Sequence, residues 1–563
     1  MDQTVPTPGT VKLLKRIECL FNSKERVANE KTWATLTAYL LPNQSGIFNR
    51  SGYASAGAGD KKTAEVFTSF PIDQAQKLTS ALQGILTNQA TVWSKYRESR
   101  DFLNESVEVN QYLEASNKIV HSLLNDSNFY TEVSKAYQQW VVCGNMVVFH
   151  EEKPKQDGAT KYGGFKFTAL HLSQVAWAEN KDNFVDKVAY RYELTAEQAI
   201  EKFGDKVSQV IQEAVVSQPD RMFQFVLWIA PREASKVKVN KAGVAKPKER
   251  PFQSLVIEVN TKNVVEESGY YEFPMYVARW DMLPGETYGR GRGHLALPDI
   301  KSLNKLSKQY QKAVDKDIDP PLLMNQRDIF GAVSRNPGSR SVVKDINGYR
   351  EMVSNARTDR ITELYKEYQA NIKAMFFIDQ IILPPREDIG QMREVEVLER
   401  IKQTHTVLGP VVPRVNAEFL IPFMNRNIKM ALRANILPEL PEDLKETGFG
   451  LEIDVVFMNE LATAQKMTTV TTIQQYMQQI AGMAQLDPTI LDTINFDEIG
   501  VLEGRAMGVP ETILRPEDEV QQIREARAKQ QQAQAALEAA NLAADTASKS
   551  SGQGQPQGGP PVA

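Results

Sequence analysis

Apolar positions along this chain follow two periods, and the change from one to the other divides it into regions. Over residues 1 to about 290, helix-like and strand-like stretches are mixed. Leu103 to Leu124 and Tyr130 to Trp140 read as helices, the second with Val133, Tyr137 and Trp140 recurring along one face. Val147-Val148-Phe149, Phe165 to Leu172, Phe223 to Ile229, Leu255 to Val259 and Met275 to Trp280 read as short strands between turns. This mixture predicts an α+β body. Lys236 to Arg250 carries Lys236, Lys238, Lys241, Lys246, Lys248 and Arg250, and reads as an exposed loop, a solvated hairpin tip.

From about 291 to 435 the pattern is helical and punctuated by proline, which lacks the N–H that a helix interior needs. Pro298 lies near the start of a helix that runs to Ile318, and Pro320-Pro321 ends it. A second helix, from about Thr358 to Ile382, is ended in the same way by Pro384-Pro385. A third begins near Met392 and is expected to kink or break around Gly409-Pro410, Pro413 and Pro422. Between the first two, Asn336-Pro337-Gly338 and Asn347-Gly348 favour tight turns. Two helices thus leave the body, carry a small module and return. Beyond Asn459, helical segments run to about Met507 and an Ala/Gln-rich run covers Glu519 to Lys549. Ser550 to Ala563 has little to bury and is expected to be disordered.

The helix from Asp299 to Asp317 is the most informative. At 100° per residue, Leu303, Leu306, Tyr310, Ala313 and Val314 share one stripe, while Lys301, Lys305, Lys308, Lys312 and Lys316 fall in a narrow stripe on the other side. In an isolated helix such a stripe is an ordinary solvated face. In a symmetric ring each lysine would become a ring of ammonium groups, able to meet phosphates without reading sequence. The return helix has its own apolar stripe, Ile361, Leu364, Tyr365, Tyr368, Ile372, Met375 and Phe376, which is core material. The two are expected to pack antiparallel to each other, or against neighbouring subunits.

Composition limits the chemistry. The chain has 563 residues, 42% of them hydrophobic, enough for several packed layers. Lys+Arg 66 against Asp+Glu 70 leaves a net charge of −4, so any contact with nucleic acid must come from local patterning. Cys19 and Cys143 are expected to be free thiols. Met1 to Thr4 lacks a secretory start, and Trp140 to Phe149 is too short and too interrupted to span a bilayer, so a soluble protein made inside a cell is expected. No G-x-x-x-x-G-K-[ST] loop is present, and His121, His150, His171, His294 and His405 form no pair at metal-ligand spacing. No metal, cofactor or catalytic residue is therefore assigned. Gly291-Arg292-Gly293-His294-Leu295-Ala296 matches the loose form of a dinucleotide loop but lies in the wrong context for one.

Pro284-Gly285-Glu286-Thr287-Tyr288-Gly289-Arg290, followed by Gly291 and Leu297-Pro298-Asp299-Ile300-Lys301-Ser302-Leu303-Asn304, resembles the head-to-tail connector, or portal, family of short-tailed bacteriophages. Ser127-Asn128-Phe129-Tyr130, Val141-Val142-Cys143-Gly144-Asn145 and Ile436-Leu437-Pro438-Glu439-Leu440-Pro441 extend the resemblance over roughly residues 10 to 510. It implies a dodecameric, non-enzymatic ring at the capsid portal vertex of the virion, assembled in the host cytoplasm. Residues 1–290 would form the wing, 291–320 and 357–382 the stem helices, and 321–356 the clip between them. Residues 383–392 would form a tunnel loop, 393–458 a kinked helix returning to the wing, 459–548 the crown and 549–563 a disordered tail.

On that pattern Lys301, Lys305, Lys308, Lys312 and Lys316, with Arg386, Glu387 and Asp388 of the tunnel loop, are the candidates for facing DNA. Arg327, Arg335, Arg340 and Lys344 are the clip candidates for docking a partner. The implied partners are double-stranded viral DNA, the terminase large subunit, a tail adaptor, and the major capsid and scaffolding proteins, with no membrane. Another virion scaffold or structural assembly protein is the alternative reading; it need not form a closed ring.

Overall fold

The computed structural model describes residues 8–44, 48, 63, 65–99, 107–153, 162–238, 245–318, 322–324, 349–351, 358–381, 408–441, 453–457, 472–483, 494–507, 513, 515 and 517–550. By its internal packing the chain divides into two units. The first comprises residues 1–94, 118–437 and 457–461, and the second 95–117, 438–456 and 462–563.

Helices α1 (Pro8–Phe21), α2 (Lys24–Leu40) and α3 (Phe70–Leu86) come first, then strand β1 (Ser94–Glu98) and helices α4 (Val107–Asn125) and α5 (Phe129–Cys143). Seven strands follow: β2 (Asn145–Glu152), β3 (Phe165–Leu170), β4 (Val175–Glu179), β5 (Val185–Thr195), β6 (Met222–Pro231), β7 (Phe252–Glu258) and β8 (Asn263–Tyr270). Helices α6 (Ala196–Phe203) and α7 (Gln209–Ser217) sit between β5 and β6, and β9 (Met275–Arg279) closes the series. All these pairings are antiparallel. β4 to β8 form a five-stranded meander, and β3-β2-β9 form a three-stranded sheet. This is the mixed helix-and-sheet class the sequence predicts. The loop joining β6 to β7 contains the lysine-rich run, where Lys236 pairs with Glu233 and Lys248 with Glu267.

The local causes are legible. Ser23 caps α2 by accepting from the Arg26 N–H, and a Thr195–Gln198 capping box opens α6. Strand β9 is buried at every position. Ile17 and Phe21 of α1 pack on Ala176, Ala189, Val226 and Trp228 of the five-stranded sheet. A second focus gathers around Phe423, whose ring lies 4.7 Å from Phe129, 5.6 Å from Phe167 and 5.8 Å from Tyr276. Large aromatic rings fill the space where α5, the three-stranded sheet and a later helix converge.

The outgoing helix, α8 (Arg292–Ile318), carries Pro298 inside it, near its start. Strands β10 (Leu322–Met324) and β11 (Tyr349–Glu351) pair at the base of the insert between the two long helices. The return helix α9 (Thr358–Met375) stops short of the expected end at Ile382. Phe377 adopts φ 56°, and a short helix α10 (Ile378–Ile381) begins after it. A left-handed residue other than glycine costs about 1–2 kcal/mol, and no Gly or Pro in Met375 to Ile381 advertised the break.

The proline-rich segment is an irregular helix, with a π-helical turn and no break between Val411 and Arg433. Helix α11 (Val411–Val415) passes through a π-helical turn, Asn416–Leu420, into α12 (Ile421–Arg433), with Pro422 withholding an N–H at the junction. The expected start of that helix near Met392 lies outside the described residues.

In the second unit β1 pairs with β12 (Ile453–Phe457), and residues 472–483 are helical. They are followed by α13 (Phe496–Met507) and the long α14 (Glu517–Ser550), which covers the Ala/Gln-rich run. Residues 549 and 550, expected to belong to a disordered tail, continue α14; the rest of that tail, from 551 onward, lies outside the described residues. Among the described residues no helix is long and apolar enough to cross a membrane.

Candidate nucleic-acid interface

Helices α8 and α9 run antiparallel. Arg292, at the start of α8, stacks its guanidinium 3.5 Å from the ring centroid of Phe377, just past the end of α9. Farther along, Ser307, Tyr310 and Gln311 share a cavity of about 280 Å³ with Ile361, Thr362 and Tyr365. All five lysines of the predicted stripe are exposed on α8. Among the described residues none of them is ion-paired, and only Lys308 has an aromatic neighbour, its ammonium 4.7 Å from the Phe67 ring centroid. At about 1.5 Å per residue, Lys301 to Lys316 spans roughly 22 Å of helix. Such a row of uncompensated ammonium groups can bind a polyanion and release it, because each contact is solvated and weak.

The face that α8 buries within its own chain differs from the expected apolar stripe. It consists of Gly293, Ala296, Ile300, Leu303, Asn304 and Ser307, turned by roughly 80° at 100° per residue. Tyr310 is left 40% exposed. Packing on α2 and α5 buries the N-terminal part of this face, and polar contacts bury Asn304. The Asn304 amide donates to the Glu65 carbonyl (2.8 Å) and accepts from the Phe67 N–H (2.8 Å), while Thr68 Oγ1 lies 3.3 Å from the Tyr365 hydroxyl. The irregular segment of residues 65–68 is thereby fixed across both helices, which hydrophobic periodicity alone does not reveal.

What aims α8 is the joint at its base, built largely from the G-E-T-Y-G-R segment. Gly144 ends α5 in the left-handed conformation, φ 78°, and its backbone lies directly against Gly291. A Cβ on Gly144 would stand 2.2 Å from the Gly291 nitrogen, and one on Gly291 would stand 2.5 Å from the Gly144 nitrogen. The dinucleotide-like glycine spacing is thus a packing requirement. The Asn145 side chain closes the contact, accepting from the Gly289 N–H at 2.7 Å and donating to the Gly289 carbonyl at 2.9 Å and the Cys143 carbonyl at 3.1 Å. Glu25, in the first turn of α2, accepts from the N–H groups of Thr287 (2.8 Å) and Tyr288 (3.1 Å).

Tyr288 is buried between Trp33 and Trp177, at ring distances of 5.5 and 4.4 Å. Arg26, fully buried, lies over the Trp33 ring at 4.8 Å and donates to the Leu172 carbonyl at 2.6 Å; burial pulls its pKa below the ordinary arginine value. His294 accepts from the Gly291 N–H at 3.1 Å, and burial, reinforced by the nearby Arg290 charge, pushes it down to about 4. The imidazole is therefore neutral at pH 7 and acts as a cap for this turn. Cys143 is buried and Cys19 exposed, both as free thiols, and burial drives the Cys143 thiol far up.

A second constellation carries no signal in the sequence. Arg279, at the end of β9, is buried, and its guanidinium binds Glu418 on the π-turn (3.0 Å from Nε) and Glu179 at the end of β4. It also donates to the Asn183 carbonyl at 3.0 Å, and its own N–H donates to the other Glu418 oxygen at 2.8 Å. Burial lowers its pKa, and the bonds and charges of Glu418 and Glu179 more than reverse that, leaving it raised. One cation thereby ties both sheets to the helix that carries the π-turn. The loop candidates Arg386, Glu387 and Asp388, and the insert candidates Arg327, Arg335, Arg340 and Lys344, lie outside the described residues.

Residues 11–514 match the family described as bacteriophage head to tail connecting protein. The chain is 25% identical over 553 residues to the portal protein of Salmonella phage epsilon15, covering 95% of this chain and 94% of that protein. It is 24% identical over 535 residues to the probable portal protein of Bordetella phage BPP-1, covering 93% and 92%.

Proposed function

From the premise that this chain belongs to the bacteriophage head to tail connecting protein family, we propose that it is a portal subunit, assembled as a closed ring through which double-stranded viral DNA is packaged and ejected. The observation that carries this reading beyond the family match is the row of five exposed lysines, free of ion pairs among the described residues, on a helix held rigidly at its base. Repeated around a ring, the row presents tiers of positive charge to any duplex. A sliding polyanion is held by many weak contacts and read by none. No step of covalent chemistry is needed; the driving force for packaging belongs to a separate motor.

Residues up to 290 act as the wing, α8 and α9 as the stem, and the insert 321–356 as the clip. On this map Arg327, Arg335, Arg340 and Lys344 would meet the terminase large subunit during packaging and the tail adaptor afterwards. Residues 383–392 would form the tunnel loop, with Arg386, Glu387 and Asp388 offering DNA a mixed set of charges. The crown follows, from 459 to 548. The ring is a dodecamer at one capsid vertex, assembled in the host cytoplasm alongside the major capsid and scaffolding proteins. Leu306 and Tyr310, left off the face that the subunit buries, are available to a neighbouring copy.

Capsids whose rings carry Lys301, Lys305, Lys312 and Lys316 all changed to alanine should still assemble. Their DNA packaging or retention should fall on the order of tenfold, and its dependence on salt should weaken, because each lost phosphate contact lowers the salt slope by about one. Packaging, retention and ejection identical to wild type would contradict the role assigned to the lysines.

A further inference from the structure

Phe377 stands in a conformation that its sequence does not favour. Among the described residues, positive φ outside glycine occurs at Asn183, Lys262, Phe377 and Asn435, and Phe377 is the one bulky aromatic. Met375-Phe376-Phe377-Ile378-Asp379-Gln380 contains no helix breaker, so local preference is for one helix through to Ile381. The chain instead closes α9 with an N–H bond from Phe377 to the Ala374 carbonyl (3.1 Å). It restarts at once, the Phe377 carbonyl accepting from Gln380 (3.2 Å) and Ile381 (3.0 Å). This is a left-handed helix cap with phenylalanine where glycine is usual.

Two features hold the break. Phe376 and Ile378, on either side, are buried, and the Phe377 ring lies under the Arg292 guanidinium at 3.5 Å. Arg292 is itself poorly accommodated. It occupies the first turn of α8, where the helix dipole disfavours a cation, and its buried Nε has no hydrogen-bond partner. Stacking of a guanidinium on a ring and the strain of a left-handed residue are of similar size, so the contact and the strain nearly balance. A conflict between local preference and observed conformation, in which strain and the contact opposing it nearly cancel, is what a two-state element requires.

We infer that Phe377 is a two-state joint and Arg292 its latch. With the guanidinium on the ring, the return helix is broken at 377. With it withdrawn, residues 358–381 form one continuous helix, and the chain enters residues 382–392 in a different direction. The latch stands on the geometry of this chain alone; that re-aiming this segment changes the channel rests on the portal reading.

The test is hydrogen exchange on the full-length protein, read at single amides by mass spectrometry with fragmentation. In the broken state the Ile378 and Asp379 N–H groups open a new helix and have no intrahelical acceptor. In a continuous helix they bond to the carbonyls of Ala374 and Met375. Arg292→Gln, and separately Phe377→Ala, should therefore slow exchange at these two amides, by about tenfold or more. Phe377→Gly, which adopts φ above zero without strain, should keep both amides fast, even when combined with Arg292→Gln.

A gain of protection on deleting a contact is not something a merely structural contact would give. Wild-type rates at both amides in Phe377→Ala would overturn the inference, as would faster exchange across 372–381 in both single variants. Neither result bears on the channel lysines, which the packaging experiment tests separately.

Discussion

Gly144→Ala should be among the most damaging single-methyl additions in this protein, lowering stability by about 4 kcal/mol or more. The new Cβ would stand 2.2 Å from the Gly291 nitrogen and 2.4 Å from the Arg290 carbonyl carbon. Both are backbone atoms, so no side chain can swing aside. The variant also carries the cost of a left-handed alanine, since φ is 78°. Gly285→Ala separates the two effects. Its φ is 85°, but its Cβ would meet nothing within 4 Å, so it should lose only about 1–2 kcal/mol. Urea or thermal melts of the two variants decide the matter, and equal losses would show that the close approach of the α5 and α8 backbones is not a constraint. Gly291→Ala should cost about as much as Gly144→Ala, with the double variant less than additive because both strain one contact.

Arg279→Met should cost about 3–5 kcal/mol, because it leaves the Glu418 and Glu179 carboxylates in place without their cation. The side chain of Glu418 is 9% exposed and that of Glu179 18%, so water can compensate only in part. Arg279→Lys keeps the charge but not the planar fork. One ammonium cannot serve Glu418, Glu179 and the Asn183 carbonyl in their present places, and a loss of about 2 kcal/mol is expected. Adding Glu418→Leu to Arg279→Met should recover part of the stability, since removing both charges of a buried pair is gentler than removing one. An unfolding free energy for Arg279→Met within about 1 kcal/mol of wild type, read from denaturant melts, would show that the network is peripheral.

Sequence pattern carried some elements and was silent on others, for identifiable reasons. Strands β2, β3, β6, β7 and β9 were legible as apolar runs, and the helix around Val133, Tyr137 and Trp140 by its spacing. Strand β5 interleaves Asp186, Lys187, Arg191 and Glu193 with its apolar positions, and β8 contains Glu266, Glu267, Ser268 and Gly269, so neither stood out. They are strands because β6 and β7 offer them hydrogen-bonding partners in register. The rotation of the buried face of α8 was illegible because Asn304 and Ser307, polar by type, are buried by bonding and packing. The break at Phe377 was illegible because its cause, Arg292, lies far away in sequence.

The same contrast holds at the candidate interface. The lysine row was fully visible, since exposure of charged residues at helical spacing is what periodicity reports best. The joint that aims it was visible only as a motif. Pro284 to Arg290 marked the resemblance, but the reason for Gly291 is the backbone of Gly144, more than a hundred residues earlier. Arg279 and Glu418 gave no sign at all. A lone arginine ending a strand and a lone glutamate in a proline-rich helix become a buried network only once β9 and the π-turn are brought together.

The most direct test of the central claim is cryo-electron microscopy of the purified full-length protein at a resolution that shows the path of α8 in the assembly. The account predicts a closed ring of about twelve copies, the symmetric assembly expected of its family, with α8 alongside the central hole and Lys301, Lys305, Lys312 and Lys316 turned toward it. A protein that stays monomeric or grows as an open polymer would contradict the ring. A closed ring with the lysine row sealed between subunits would contradict the channel.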